Sequence, residues 1–71
     1  MESSRPPATT EITILGGARY RVEGTTEEVE RTILNADRGS IMEFAWFVDV
    51  STGERVGINP ECVVMLRASG S

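Results

Sequence analysis

The fold of this 71-residue chain is decided by one stretch, Met42-Glu43-Phe44-Ala45-Trp46-Phe47-Val48-Asp49-Val50. It holds three of the four aromatic residues, and apolar side chains alternate in it with other residues. This alternation predicts a β-strand, in which successive side chains point to opposite faces of the sheet. We assign to the core face Met42, Phe44, Trp46, Val48 and Val50, and to the opposite face Glu43, Ala45, Phe47 and Asp49. The single tryptophan is therefore expected to be buried.

Two further strands precede this stretch and are predicted to form a hairpin. Residues 11–15 and 18–23 are rich in strand-forming residues, and Gly16-Gly17 between them is a turn signal. A loop of two residues would place the isoleucines of the first strand opposite arginines of the second. A loop of three or five residues instead pairs Ile14 with Tyr20 and keeps the apolar side chains on one face. We therefore predict an odd loop.

The next segment carries start and stop signals for a helix. Thr25 and Glu28 match a capping box, in which each side chain accepts a hydrogen bond from the other residue's backbone N–H. Arg38 and Gly39 are typical of a helix end, so the predicted helix covers Thr26–Asp37. Its apolar residues recur at helical spacing and are expected to face the core: Val29, Ile33 and Ala36.

The aromatic stretch is predicted to continue into a second hairpin. Ser51-Thr52-Gly53 suits a loop of three residues that ends in a left-handed glycine, with a strand over residues 54–58 after it. This loop sets the cross-strand pairs Val48 with Val56, Trp46 with Ile58, Asp49 with Arg55, and Phe47 with Gly57. Asn59-Pro60-Glu61 then breaks the strand. We predict one helical turn and a closing strand over Val63–Arg67, with a second helix over Pro60–Ala68 as the alternative.

These elements predict a single small α+β domain in the order β-β-α-β-β-β. The sheet is expected to be mostly antiparallel with one helix packed on one face, and it could curl partly into a barrel. Residues 1–10 and 68–71 have the composition of disordered tails, which leaves residues 11–67 as the domain. A core of this size rarely supplies more than roughly 3–5 kcal/mol without a staple or a partner subunit.

The residue types in the chain exclude several kinds of site. There is no histidine and one cysteine, Cys62, so a Cys/His zinc site and an internal disulfide are both excluded. The carboxylates fall on predicted solvated faces, and we expect no enzymatic activity, no cofactor and no metal. No signal sequence or membrane-spanning run is recognisable, and a lone thiol fits a reducing compartment. We therefore expect a cytoplasmic protein with no membrane partner. The predicted order of its elements is common among small bacterial domains.

The candidate interaction surface lies on the predicted outer face of the aromatic strand. One helix covers one face of a small sheet, so Ala45 and Phe47, with Gly57 opposite, are expected to form an uncovered patch. Such a patch indicates a homodimer interface, or else an aromatic ring that only covers a strand glycine. We favour a small acidic protein–protein interaction module that is a homodimer and binds an unidentified protein. Arg19 and Arg21 are the remaining candidate interface residues.

The alternative hypothesis is a nucleic-acid-associated regulatory protein. Its arginine patch would consist of Arg19, Arg21 and Arg55, with Arg67 as a further member. The net charge of −4 opposes this hypothesis, because an acidic domain repels a phosphate backbone. Whether these arginines gather on one face or alternate with acidic residues separates the two hypotheses.

Overall fold

The computed structural model describes residues 8–37 and 44–69, which contain five strands and one α-helix. In chain order they are β1 (Thr9–Ile14), β2 (Arg19–Glu23), α1 (Thr26–Asp37), β3 (Ala45–Val48), β4 (Arg55–Ile58) and β5 (Val63–Ala68), with a 3₁₀ turn at Pro60–Cys62. The strands form two antiparallel sheets, one in the order β2-β1-β5 and the other β3-β4. The predicted α+β class and element order are confirmed, and the described strands do not close into a barrel.

The centre of the larger sheet is β1 and not the aromatic stretch. Ile12 of β1 lies opposite Tyr20 of β2 and Leu66 of β5, and its side chain is fully buried. Thr10 is also fully buried, and its hydroxyl donates a hydrogen bond to the carbonyl of Gly24 at 3.0 Å. A strand with neighbours on both edges has partners for its backbone N–H and C=O groups, so it can be buried at little cost.

The strands β1 and β5 extend beyond residues 11–67, the predicted bounds of the domain. Thr9 pairs with Glu23, and Thr10 pairs with Ala68, although the composition of the sequence predicts disordered tails at these threonines and at Ala68. The N–H of Ser69 donates to the carbonyl of Thr9 at 3.0 Å. Threonine is favoured in strands, but without apolar alternation around it the two residues carried no strand signal. Residues 1–7 and 70–71 of the predicted tails lie outside the described residues.

The first hairpin has the predicted odd loop, but its register differs from the expected one by two residues. The N–H of Ile14 donates to the carbonyl of Ala18 at 3.0 Å, which leaves a three-residue loop over residues 15–17. Ile12 therefore lies opposite Tyr20. The last loop residue is a glycine with a φ of 94°, a conformation that glycine adopts without steric cost. Because the loop is odd, the apolar side chains share one face, as predicted.

The helix α1 begins and ends at the predicted residues, Thr26 and Asp37. The N–H of Thr25 donates to Oε1 of Glu28 at 2.9 Å, and the N–H of Glu28 donates to Oγ1 of Thr25 at 3.1 Å. These two bonds confirm the capping box. The predicted apolar stripe is buried: Val29, Ile33 and Ala36. The stop signal at residues 38–39 lies outside the described residues.

The two faces of the aromatic strand are reversed relative to the prediction. Ala45 and Phe47 are buried, with 1% and 7% of their surface exposed, whereas Phe44 and Trp46 are each 51% exposed. The assignment of Phe44 and Trp46 to the core was therefore wrong, and so was the assignment of Phe47 to the surface. Residues 42–43 of the stretch lie outside the described residues.

The reversal follows from the turn between β3 and β4. The N–H of Asp49 donates to the carbonyl of Glu54 at 2.8 Å, and the N–H of Gly53 donates to the carbonyl of Asp49 at 2.7 Å. The loop therefore has four residues, 50–53, and not the predicted three. The Asp49 carboxylate stabilises it by accepting from the N–H and the hydroxyl of Ser51, at 2.8 and 2.6 Å.

A loop that is one residue longer changes which side chains share a face. The observed pairs are Ala45 with Ile58, Trp46 with Gly57, Phe47 with Val56, and Val48 with Arg55. All four predicted pairs are replaced, because a shift of one residue moves a whole set of side chains across the sheet. The apolar side chains of β4 now share the face of Ala45 and Phe47, which becomes the core face.

The segment after β4 is a turn followed by a strand, as predicted, and not a second helix. Oδ1 of Asn59 accepts a hydrogen bond from the N–H of Glu61 at 2.9 Å, which starts the 3₁₀ turn. β5 follows at once and pairs with β1, with an irregularity in register near Ile14. Strand β5 ends at Ala68, one residue beyond the predicted end.

One hydrophobic core joins the two sheets and the helix. Its buried members are Ile12, Val22, Val29, Ile33, Ala36, Ala45, Phe47 and Ile58. The sheets are also linked through the backbone, because Val22 forms an isolated antiparallel bridge with Asp49 and the N–H of Val50 donates to the carbonyl of Arg21 at 3.0 Å. This link holds the β3–β4 hairpin beside β2 with one face in the core and the other on the surface.

Candidate interaction surface

The outer face of the β3–β4 hairpin carries exposed aromatic side chains. Trp46 lies opposite Gly57, and a Cβ atom placed on Gly57 would lie 3.0 Å from Cη2 of the indole. The indole therefore lies across the glycine and covers the backbone of β4. Phe44 packs edge-on against the indole, with ring centroids 6.2 Å apart and an interplanar angle of 76°. Both rings keep about half of their surface in contact with solvent.

Arg55 adds a positive charge to the same face. Its Cζ atom lies 5.1 Å from the centroid of the Trp46 ring, within the range of a cation–π interaction. Tryptophan, arginine and phenylalanine are enriched in protein–protein interfaces, and the first two supply many of the residues that dominate binding energy. We call Phe44, Trp46, Arg55 and Gly57 the aromatic face.

A shallow cleft with acidic walls borders the aromatic face on the helix side. It has a volume of about 240 Å³ and lies between β3 and the start of α1. Trp46 and Val48 line it from β3, and Glu23 and Glu28 line it from the other side. Both carboxylate residues are exposed. The charge across this surface therefore changes from positive at Arg55, through apolar Trp46, to negative at the two glutamates.

Only part of the predicted interface lies on this surface. Ala45 and Phe47 belong to the core, so the reason for placing them at an interface was wrong. Gly57 is exposed, but the ring that covers it is Trp46 and not Phe47. Phe44 and Trp46 were both missed as surface candidates, because the sequence analysis assigned them to the core. The glycine in β4 was the available signal, because an aromatic side chain on the neighbouring strand often covers such a residue.

The predicted arginine patch is divided between two places and mixed with acids. Arg19 and Arg21 lie on the outer face of the larger sheet, where Glu11 is the cross-strand neighbour of both Arg21 and Arg67. Nε of Arg67 lies 3.9 Å from Oε1 of Glu11. Arg55 lies on the other sheet, against Trp46. The arginines of the larger sheet are therefore interleaved with acidic residues, the arrangement expected for a solvated sheet face.

A second concavity lies where the two sheets diverge. It has a volume of about 370 Å³ and is lined by Ile14, Tyr20, Val56, Gly57, Ile58, Asn59 and Cys62. No charged side chain lines it, and its volume is near the lower end of small-molecule sites. Nothing in its lining selects one class of ligand, so it carries no functional assignment.

The described residues contain no group of three or more acidic, cysteine or histidine side chains that could hold a metal ion. Among the same residues, no helix is long and apolar enough to cross a membrane. The pKa of Asp49 is held below its ordinary value, first by the hydrogen bond from the Ser51 hydroxyl and then by the Ser51 N–H. This carboxylate lies in the β3–β4 turn, where its structural role accounts for the shift.

Comparisons with known proteins supply no family. No family model, no curated protein and no solved structure matches this chain.

Proposed function

We propose that this protein is a non-enzymatic protein–protein interaction module that forms a homodimer through the aromatic face. The observation that carries this proposal is the half exposure of Phe44 and Trp46 beside Arg55 on one hairpin face. Two large aromatic rings in contact with each other leave apolar surface in water that a partner would cover. The β3–β4 hairpin presents Trp46 on a paired backbone, and Phe44 directly precedes β3. A paired backbone lowers the conformational entropy lost on binding.

The size of the domain supports association. A chain of about 60 residues buries only about 60% of the surface that its unfolded chain exposes, so its stability is marginal. A second copy that covers the aromatic face would bury the exposed parts of Phe44 and Trp46 and so stabilise the folded chain.

The charge arrangement favours a protein partner over a nucleic acid. A net charge of −4 repels phosphates, and the arginines of the larger sheet lie among carboxylates instead of forming a basic surface. The aromatic face itself carries one arginine, next to the acidic cleft. We therefore expect no salt-dependent binding to labelled single-stranded or duplex oligonucleotides.

The experiment is a measurement of molar mass by sedimentation and light scattering, on the wild type and on Trp46→Thr. Threonine suits a strand but removes the indole, so the variant should be a folded monomer while the wild type dimerises. Val64→Thr is the matched control, because Val64 is 60% exposed and lies on β5, away from the aromatic face. The proteins are compared from about 1 to about 200 μM, which brackets a micromolar Kd.

Two results would contradict the proposal. A wild type that stays monomeric across this range excludes the homodimer. A Trp46→Thr variant that dimerises as well as the wild type, while Val64→Thr does not, places the interface on β5 instead.

A further inference from the structure

The surface around Trp46 has three strips that differ in charge and polarity. Arg55 lies on β4 at one side of the indole, with its guanidinium 5.1 Å from the ring centroid. Trp46 and Val48 form the apolar centre on β3. Glu23 and Glu28 lie across the cleft on the opposite side of β3. A positive strip, an apolar strip and a negative strip therefore follow one another across the face.

This order makes the surface complementary to itself. Consider a two-fold axis that lies in the plane of the interface, parallel to β3. Rotation about this axis places the aromatic face of the second copy against that of the first, with the two sides of β3 exchanged. Trp46 then meets its own equivalent near the axis, and Arg55 of each copy comes opposite the acidic side of the other copy. A two-fold interface uses the same patch on both subunits, so the contact forms twice.

We propose that the aromatic face binds a second copy of this chain in this two-fold arrangement, with Arg55 of each copy against Glu23 and Glu28 of the other. This inference rests on the proposed function, since it specifies the orientation of the two copies and the charge pairs of the same homodimer. The apolar strip provides the burial, and the paired charges select one orientation of the two copies.

The charged groups are accessible for this contact. Arg55, Glu23 and Glu28 are all exposed in the single chain. One oxygen of Glu28 accepts from the N–H of Thr25 at 2.9 Å, but a carboxylate has acceptor sites on both oxygens. Glu23 ends β2 and lines the cleft beside Trp46, so it is the acid best suited for substitution. Glu28 is unsuitable, because its replacement would also break the helix cap.

The test is a charge exchange, read out as the dimer Kd from sedimentation at two salt concentrations. Arg55→Glu and Glu23→Arg should each weaken the dimer by about tenfold or more at low salt, because each places like charges opposite one another twice. The double variant Arg55→Glu/Glu23→Arg restores opposite charges and should bring the Kd back to within about threefold of the wild type. High salt should narrow these differences.

The charge-matched controls are two exposed residues of the helix α1. Arg31→Glu and Glu30→Arg make the same changes in net charge on exposed residues that line neither the aromatic face nor the acidic cleft. They should change the Kd by less than about threefold, which separates a local pairing from a general effect of net charge.

The outcomes distinguish this inference from the function on which it rests. If Trp46→Thr abolishes the dimer but the single charge variants leave the Kd unchanged, or the double variant fails to restore it, the pairing is refuted and the aromatic interface stands. If the wild type is a monomer, the homodimer and the pairing are both refuted. If the double variant restores the Kd of the wild type and the control variants leave the Kd unchanged, the proposed arrangement is supported.

Discussion

Because Phe47 faces the core and Trp46 faces solvent, substitutions at these two neighbouring residues should affect folding differently. Phe47→Ala should unfold the domain, whereas Trp46→Thr should leave it folded. Phe47 is 7% exposed and belongs to the core cluster. Truncating a buried phenylalanine costs roughly 3–5 kcal/mol, since it removes apolar burial and leaves a cavity. A core of this size rarely supplies more than roughly 3–5 kcal/mol in total. Phe47→Ala should therefore be largely unfolded at 25 °C.

The cost of Trp46→Thr follows from its exposure. About half of the residue is buried. Half of a side chain of roughly 250 Å² at about 25 cal/mol per Å² gives about 3 kcal/mol as an upper bound. Threonine retains part of the contact, so the cost in the monomer should be about 2 kcal/mol, including the lost cation–π contact with Arg55. Trp46→Thr should remain folded, with a lower urea midpoint.

The assay combines urea unfolding, followed by circular dichroism, with the dispersion of backbone NMR signals. Both variants and the wild type are measured at one low protein concentration, because a dimer raises the apparent stability with concentration. Val64→Thr again serves as the exposed control on another strand. A well-dispersed spectrum for Phe47→Ala together with an unfolded Trp46→Thr would show that the face assignment of β3 is incorrect.

Two predictions concern local hydrogen bonds. Thr25→Ala removes the hydroxyl that accepts from the Glu28 N–H at 3.1 Å, and should lower the free energy of unfolding by about 1 kcal/mol, measured by urea titration with Thr25→Ser as the conservative control. The lowered pKa of Asp49 means that its charged form is favoured in the folded state. Its contribution to stability is present above the ordinary value of 3.8 and is lost as the pH falls through the lower folded pKa. The urea midpoint of Asp49→Asn should therefore fall less between neutral pH and strong acid than the midpoint of the wild type. It should also fall less than the midpoint of Glu54→Gln, which removes a charge from the same turn. Equal losses for the three proteins would contradict the role given to this carboxylate.

The parts of the fold that local chemistry specifies were predictable from the sequence. The helix α1 starts at a capping box formed by residues three apart, and its apolar stripe is set by the helical repeat. The turn at Pro60–Cys62 and the start of β5 follow from Asn59 and the apolar, β-branched residues after it. In each case the deciding interactions join residues that are close in the chain, so the pattern carries them.

The face of β3, and with it the candidate site, was decided by the tertiary structure. Both faces of the aromatic stretch carry large apolar side chains, so alternation alone could not say which one is buried. The choice depends on a turn of four residues instead of three, closed by Asp49 and Gly53, and on the apolar side chains of β4 that this register turns towards the core. A difference of one loop residue involves few interactions, but it moves Trp46 from the core to the surface, because side chains in a strand alternate with a period of two.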